Sequence, residues 1–196
     1  YGSITCKKLT LQKGGIIFGA GTIACDSMQL DGDIAPGAMF ITAHDKGAES
    51  TRLQLSTNCA PGFFGNPAFD PQVLGQVLRF VGTATVTGNL WINVDSSTSF
   101  NSVQFSQLSL VYPATVHVFQ GPAVPVNTSF PCITFDSLLG PLNFTATTHN
   151  YTNVNEELPW VLSCNGDCLA GKFGRNGQAC IVQIVECPDG ACVSSI

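Results

Sequence analysis

The stretch Thr83-Ala-Thr-Val-Thr-Gly-Asn-Leu-Trp-Ile-Asn-Val94 indicates the fold more directly than any other part of the chain. Its two halves, residues 83–87 and 90–94, are rich in β-branched and aromatic residues, which favour the pleated backbone of a strand. Gly88-Asn89 separates the halves and fits either a hairpin turn or a bulge. We predict a bulge within one long strand.

Short segments with similar apolar or alternating patterns lie on both sides of this stretch. They cover residues 4–11, 16–18, 38–43, 51–55, 103–110, 115–119, 132–135, 142–147, 160–164 and 180–186. With 13 Phe, 20 Gly and 11 Pro, they indicate an all-β fold in a single domain over residues 1–196. Because the connections vary in length and show no fixed period, we expect neither a propeller nor a solenoid, and a Greek-key sandwich or a jelly-roll β-sandwich fits better.

Asp70-Pro71 has the residue types of a helix start, because Asp can cap the first amides and Pro needs no hydrogen-bond partner there. Apolar residues at helical spacing follow, with Gly82 as the terminator, and their face is expected to pack against the sheet: Val73, Leu74, Val77 and Leu78. We predict one short helix. Trp91 and Trp160 are the expected aromatic anchors of the core.

Charged residues are scarce: they make up 11% of the chain, where about 25% is usual. Such a surface is either covered by neighbouring subunits or coated with Ser, Thr and sugar. A formal net charge of −5 argues against a protein that holds nucleic acid by its own positive field. Lys7, Lys8 and Lys13 fit a solvated edge better than an RNA-contacting arm. No apolar run reaches the roughly 18 residues of a membrane helix.

Nine cysteines leave at least one thiol unpaired in any intramolecular scheme. Three interpretations stay open: buried free thiols in a sheet core, disulfides, and a zinc site formed by the cysteines at 164, 168, 187 and 192. The zinc pattern lacks the two-residue spacing of a knuckle. We therefore expect mainly buried thiols, with disulfides as the next interpretation.

Residues that carry catalysis are few, and the chain has no nucleophile elbow, phosphate-binding loop or zinc-protease motif. The pairs His44-Asp45 and Glu156-Glu157 fit a solvated turn and a charged loop. Asp31-Gly32-Asp33 lacks the further spaced acidic residues of a calcium loop. We expect no enzyme, no catalytic residue, no cofactor and no metal site.

The segment Asp70-Pro-Gln-Val-Leu-Gly-Gln-Val-Leu-Arg79, with Gly82 and the strand that ends at Val94, resembles the small coat protein of comovirus-type picorna-like plant viruses. Similar segments follow in order: Gln107-Leu-Ser-Leu-Val-Tyr112, Pro141-Leu-Asn-Phe144 and Leu158-Pro-Trp-Val-Leu-Ser-Cys164. The resemblance covers about residues 70–186, and it points to a fabavirus or a related genus. It implies an eight-stranded jelly roll beside a larger two-domain coat protein, with copies of this chain around the fivefold axes.

Two functions are therefore expected. The first is a structural capsid protein in the virion, made and assembled in the host cytoplasm, that contacts its RNA genome weakly or indirectly and no membrane. The alternative is a secreted, disulfide-linked β-sandwich that recognises a ligand or cell surface. The sequons at Asn127, Asn143 and Asn150 are compatible with the alternative, but chance alone predicts about two of them.

Overall fold

The computed structural model describes residues 2–37, 74–121, 124–150, 169–186 and 193–195. Every regular element within these residues is a β-strand, which confirms the all-β prediction. Numbered along the chain, the strands are β1 (Gly2–Leu11), β2 (Ile16–Gly19), β3 (Gly21–Leu30), β4 (Asp33–Pro36), β5 (Val77–Val86), β6 (Asn89–Ser96), β7 (Ser99–Phe100), β8 (Ser102–Leu110), β9 (Thr115–Gln120), β10 (Ser129–Leu138), β11 (Thr145–Asn150), β12 (Leu169–Asn176), β13 (Ala179–Glu186) and β14 (Val193–Ser195).

From β1 to β11 the chain alternates between two sheets, except that the short β7 follows β6 in the same sheet. Sheet A has the order β1-β3-β5-β8-β10-β13-β12, and sheet B has the order β14-β11-β9-β6-β4-β2, with β7 paired to β6. Neighbouring strands are parallel from β1 to β10 in sheet A and from β2 to β11 in sheet B. Each winding therefore adds one parallel strand to each sheet, as in a two-sheet solenoid.

The predicted jelly roll is not confirmed, because a jelly roll is built from antiparallel strands in Greek keys. The expectation against a solenoid is wrong for the described strands. Gly2 pairs with Gly21, whereas Val103 pairs with Ile133, so the number of residues per winding changes along the chain. Unequal windings leave no fixed period in the sequence, although the strands stack regularly.

Tight corners turn the chain from sheet A into sheet B. Gly32 and Gly88 occupy equivalent corners, since the Asn89 amide donates to the Gly32 carbonyl at 3.1 Å. A Cβ on Gly88 would lie 1.9 Å from that same carbonyl oxygen, so a larger residue does not fit without moving the backbone. Gly88-Asn89 is thus a corner between β5 and β6, and the predicted bulge within one strand is wrong.

The hydrophobic core lies between the two sheets. Leu30, Val86 and Leu110 are paired in register on β3, β5 and β8, and each is almost fully buried. Phe80 and Phe105 are also paired in register, on β5 and β8, and their rings stack with centroids 5.1 Å apart. Parallel in-register strands place equivalent side chains beside one another, so each winding extends the same apolar columns.

The C-terminal end of the stack changes direction. β13 pairs antiparallel with β10 and with β12, and β14 pairs antiparallel with β11. At the other end, β1 is the edge strand of sheet A, and most of its residues are exposed. The two ends of the solenoid are therefore built differently.

The predicted helix is wrong over its second half, because residues 77–82 lie in β5. Leu78 is buried, whereas Leu74 and Val77 are only half-buried. Val73, Trp160 and residues 70–73 lie outside the described residues. Val77 to Phe80 also fit a strand, and pairing with β3 and β8 on both sides overrides the helical pattern.

Gly82 is not a helix terminator but part of a bulge in β5, where the pairing with β8 shifts register between Phe80 and Thr83. Its φ is +113°, and a Cβ at this position would lie 1.8 Å from the Cys25 carbonyl oxygen. Only glycine tolerates both conditions without strain. The bulge therefore explains the glycine better than a helix end does.

Candidate functional site

The outer side of sheet A carries three rows of polar side chains that cross neighbouring strands in register. These rows, which we call the polar face, are Ser3, Thr22, Arg79, Gln104 and Thr134; Lys8, Ser27, Thr83, Gln107 and Ser137; and Thr10, Gln29, Thr85 and Ser109. All of these side chains are exposed or half-buried, and all except Lys8 and Arg79 are Ser, Thr or Gln. The strands alternate apolar residues inward with these residues outward.

Hydrogen bonds tie the polar face together across β5 and β8. The Arg79 guanidinium donates twice to Gln104 Oε1, at 3.0 and 2.8 Å. Thr83 Oγ1 donates to Gln107 Oε1 at 2.7 Å. The amide nitrogens of both glutamines thereby point away from these bonds and stay able to donate. The pairs hold long side chains in place before any ligand binds.

A cleft of about 640 Å³ lies on this face, and its polar lining includes Arg79, Gln104, Thr134, Asp136 and Gln178. This volume is within the roughly 300–1,000 Å³ that is usual for ligand sites. Arg79 and Asp136 are its charged residues, so their formal charges cancel. The lining offers both hydrogen-bond donors and acceptors without net charge.

A second polar cluster lies at the corners of the windings, beside a cleft of about 410 Å³. The Asp33 carboxylate is 2% exposed and accepts hydrogen bonds from Asn89 Nδ2 at 2.7 Å and from Trp91 Nε1 at 3.0 Å. His117 stacks on Trp91 with ring centroids 3.7 Å apart, and its Nε2 lies 3.4 Å from Asn89 Oδ1. These contacts cross three neighbouring strands and join successive windings.

Burial raises the pKa of Asp33 above its ordinary value, and the hydrogen bonds from Asn89 and Trp91 oppose this rise. The direction follows from the cost of holding a charge away from water. Asp33 and Trp91 are almost fully buried, so this cluster holds the structure together more than it offers groups to a ligand.

Trp91 is among the largest fully buried side chains, as expected of an anchor, but it is not part of the core cluster between the two sheets. It is 1% exposed, but it alternates with Leu90 and Ile92 on β6, whose side chains belong to the core between the sheets. Its own side chain lies on the outer side of sheet B, with Asp33, His117 and Phe119. Sequence reasoning identified the buried tryptophan but not the side of the sheet it occupies.

Cys6 and Cys25 form a disulfide between β1 and β3, and their Cα atoms are 4.6 Å apart. They are directly paired in the register of the two parallel strands. The bond fastens the exposed edge strand to the rest of sheet A. Sequence reasoning had no signal for this pair, because the register of β1 against β3 was not foreseen.

Cys132 and Cys180 are buried free thiols, as the sequence led us to expect for core cysteines. Burial raises the pKa of Cys180 to about 12 and raises that of Cys132 well above its ordinary value. Both therefore stay protonated and unreactive at neutral pH. The remaining five cysteines, which include the four that were weighed as a zinc pattern, lie outside the described residues.

Other residues singled out in the sequence have these positions. Lys7 and Lys8 are exposed on β1, and Lys13 lines the smaller cleft. Asn127 and Asn143 are exposed, as glycan acceptors must be, whereas the side chain of Asn150 lies outside the described part of the chain. His44-Asp45 and Glu156-Glu157 also lie outside it.

The polar groups do not gather into a metal centre within the described residues, where no group of three or more His, Cys, Asp or Glu side chains is placed to hold an ion. Asp31-Gly32-Asp33 is instead a corner, in which Asp31 accepts hydrogen bonds from Gln29 and Thr87. No helix long and apolar enough to cross a membrane occurs in the described ranges.

Within the described residues, the geometry thus points to the polar face with its cleft, an exposed and organised surface that carries few charges. The rows of Thr, Ser and Gln were visible in the sequence as the polar half of each alternating strand, but only the register joins them into a surface. Comparison of this chain with protein-family models, with curated proteins and with solved structures finds no match.

Proposed function

We propose that this chain is an extracellular, disulfide-bonded recognition domain that binds its ligand through the polar face of sheet A. The observation that carries the proposal is the in-register array of exposed hydroxyl and amide side chains around a cleft of about 640 Å³. Binding sites combine concavity with a few polar groups that fix orientation, and this cleft has both. No chemical step is needed for the function.

The Cys6–Cys25 disulfide supports the extracellular part of the proposal. Structural disulfides form and persist in oxidising compartments and are rare in the cytosol. The exposed sequons at Asn127 and Asn143 are compatible with the same route. The scarcity of charge then fits a surface that is coated with hydroxyl groups, amides and sugar.

The viral coat subunit, assembled with a larger coat protein around an RNA genome, stays a prediction. Its main support is the charge content of 11%, because covered flanks need few charges. Its resemblance began with a helix that leads into a long strand, whereas residues 77–86 form one strand of a parallel sheet. Native particle size tests it: a particle of viral dimensions that contains a larger subunit would favour the coat function over recognition.

The recognition function is tested with the complete chain, secreted from eukaryotic cells and labelled with a fluorophore. We expect it to bind cell surfaces or extracellular matrix, and the double variant Thr83→Glu/Gln104→Glu to bind at least tenfold more weakly. Two carboxylates would repel the acceptor groups of a ligand. Gln104→Glu removes an amide donor while its carboxylate can still accept from Arg79, and Thr83→Glu removes the hydroxyl that donates to Gln107. Ser97→Glu, exposed in the turn between β6 and β7, is the matched control and should bind normally.

A thiol count on the same secreted protein tests the compartment. Cys6 and Cys25 should resist alkylation until a reductant is added, since their sulfurs are bonded to each other. Alkylation of both without reductant, or equal binding by the double variant and the wild type, would overturn the proposal.

A further inference from the structure

We propose that the ligand of the polar face is an uncharged polysaccharide, bound across the strands of sheet A. The inference rests on the recognition function above and names the chemical class of its ligand. It is carried by the composition of the rows, their repetition and their fixed side chains.

The composition of the rows selects an uncharged, hydroxyl-rich ligand. A Ser or Thr hydroxyl both donates and accepts, and a Gln amide does the same through its two ends. The hydroxyl groups of a sugar have this same dual character. Arg79 and Asp136 cancel in the cleft, so its formal charges favour neither an anion nor a cation.

The repetition of the rows fits a polymer. Strands are about 4.8 Å apart, so a chain that crosses them meets a similar set of polar groups at each step. Thr22, Arg79, Gln104 and Thr134 form one such line, and Ser27, Thr83, Gln107 and Ser137 form another. Repeated weak contacts to a repeating ligand add up, because the later ones are intramolecular.

The face is also organised in advance. The bonds from Arg79 to Gln104 and from Thr83 to Gln107 hold side chains that would otherwise lose rotamer freedom on binding. They stand on strands that are paired on both sides, which limits movement of the backbone. Preorganisation of this kind lowers the entropic cost of binding.

Other macromolecules fit less well. Nucleic acid requires clustered cations, and the rows contain only Lys8 and Arg79. A protein partner usually buries aromatic anchors at the centre of the interface, and no residue of these rows is aromatic. Val81, at 39% exposure, is the exposed large hydrophobic side chain of the cleft.

Affinity electrophoresis of the complete chain tests the ligand class. Native gels contain hydroxyethylcellulose, galactomannan or dextran as neutral polymers, alginate as an anionic polymer, or no polymer. We expect at least one neutral polymer to slow migration and alginate to have no comparable effect. The triple variant Thr83→Val/Gln104→Ala/Gln107→Ala should raise the dissociation constant at least tenfold, because each lost hydrogen bond costs about 2- to 10-fold.

Thr98→Val, which removes an exposed hydroxyl on the β6–β7 turn, is the control and should bind as the wild type does. Circular dichroism and the unfolding midpoint verify that the triple variant is folded. No retardation by any neutral polymer, stronger retardation by alginate, or equal retardation of the triple variant and the wild type would overturn the ligand class.

The failure of this inference is separable from the failure of the proposed function. If Thr83→Glu/Gln104→Glu abolishes cell-surface binding while no neutral polymer binds, the polar face recognises another ligand and only the polysaccharide is excluded. If that variant binds cells normally, the recognition function itself is excluded.

Discussion

The outer sides of the two sheets follow the same alternation of side chains but have opposite properties. The polar face of sheet A is exposed or half-buried across its rows. The outer side of sheet B instead carries Trp91, Asn93 and Phe119 at 1%, 1% and 3% exposure. Alternation along a strand therefore predicts which residues share a side, but it does not predict whether that side meets solvent. The comparison separates residues available for binding from residues that stabilise the fold.

Trp91→Ala should have the largest effect on stability, because it removes a fully buried aromatic side chain from the outer side of sheet B. We expect the free energy of unfolding to fall by about 3–5 kcal/mol. The indole hydrogen bond to Asp33 and the stacking on His117 would be lost as well. Urea denaturation followed by circular dichroism measures the change. A loss below about 1 kcal/mol would mean that the two outer sides do not differ as described.

Cys25→Ser should have the next largest effect, because it frees the edge strand β1 from β3. A disulfide that closes a loop of about 20 residues contributes roughly 3 kcal/mol. We expect a similar fall in the free energy of unfolding, and the same fall when the wild type is reduced. Cys180→Ser is a comparison at a buried free thiol: it keeps the Cys6–Cys25 bond, so added reductant should destabilise it as much as it destabilises the wild type. Equal stability of oxidised and reduced wild type would contradict the role of this bond.

Asp33→Asn should change how stability depends on pH. Because the pKa of Asp33 is raised in the folded state, the folded protein keeps a proton that the unfolded chain releases. The contribution of Asp33 to the free energy of unfolding thus falls as pH rises from the unfolded pKa to the folded one, and is constant above that. The variant should lack this fall, which urea titrations across acidic pH would reveal.

Asp31→Asn, at the same corner, shows whether that effect belongs to Asp33 or to the corner as a whole. Lys13, Asp31 and His117 line the same cleft, so the comparison uses the difference between variants and not the wild-type curve alone. An unchanged pH profile in Asp33→Asn would contradict the raised pKa.

Gln107→Ala should have the smallest effect on stability. Its side chain is exposed on sheet A, where Oε1 accepts a hydrogen bond from Thr83. We expect the free energy of unfolding to change by no more than about 0.5 kcal/mol. A larger loss would make the polar face a structural feature similar to the outer side of sheet B. Thermal unfolding of both variants in one buffer gives the contrast with Trp91→Ala.

Sequence reasoning found many of the strands but not their arrangement. Alternation placed strands near 103–110, 115–119 and 180–186, and the structure has β8, β9 and β13 there. The predicted helix over Val77 and Leu78 was wrong because a short apolar segment fits both the helical period of 3.6 residues and the strand period of two. Only the strands that pair with it decide between them. The predicted bulge at Gly88 is a corner, and the sequence carries a signal for it: Leu-Asp-Gly-Asp at 30–33 and Val-Thr-Gly-Asn at 86–89 have a similar pattern.

The candidate site was less predictable than the strands. Thr83, Gln104 and Gln107 appeared in the sequence as ordinary outward residues of separate strands. They come together because β5 pairs with β8, which brings residues that are 24 or 25 positions apart in the chain into contact. The Cys6–Cys25 disulfide depends on register in the same way. A shift of one residue would reverse the side of every residue in a strand, so register decides the site.

By itself, the sequence determined that this protein is built from strands, because branched, aromatic and alternating residues restrict the backbone locally. It also determined that few charges would stand on the surface. Only the tertiary structure decided that the strands wind in parallel, which outer side is exposed and which cysteines meet. These properties depend on pairing between residues that are distant in the chain. The sequence of one strand does not show which strand it pairs with, or in which register.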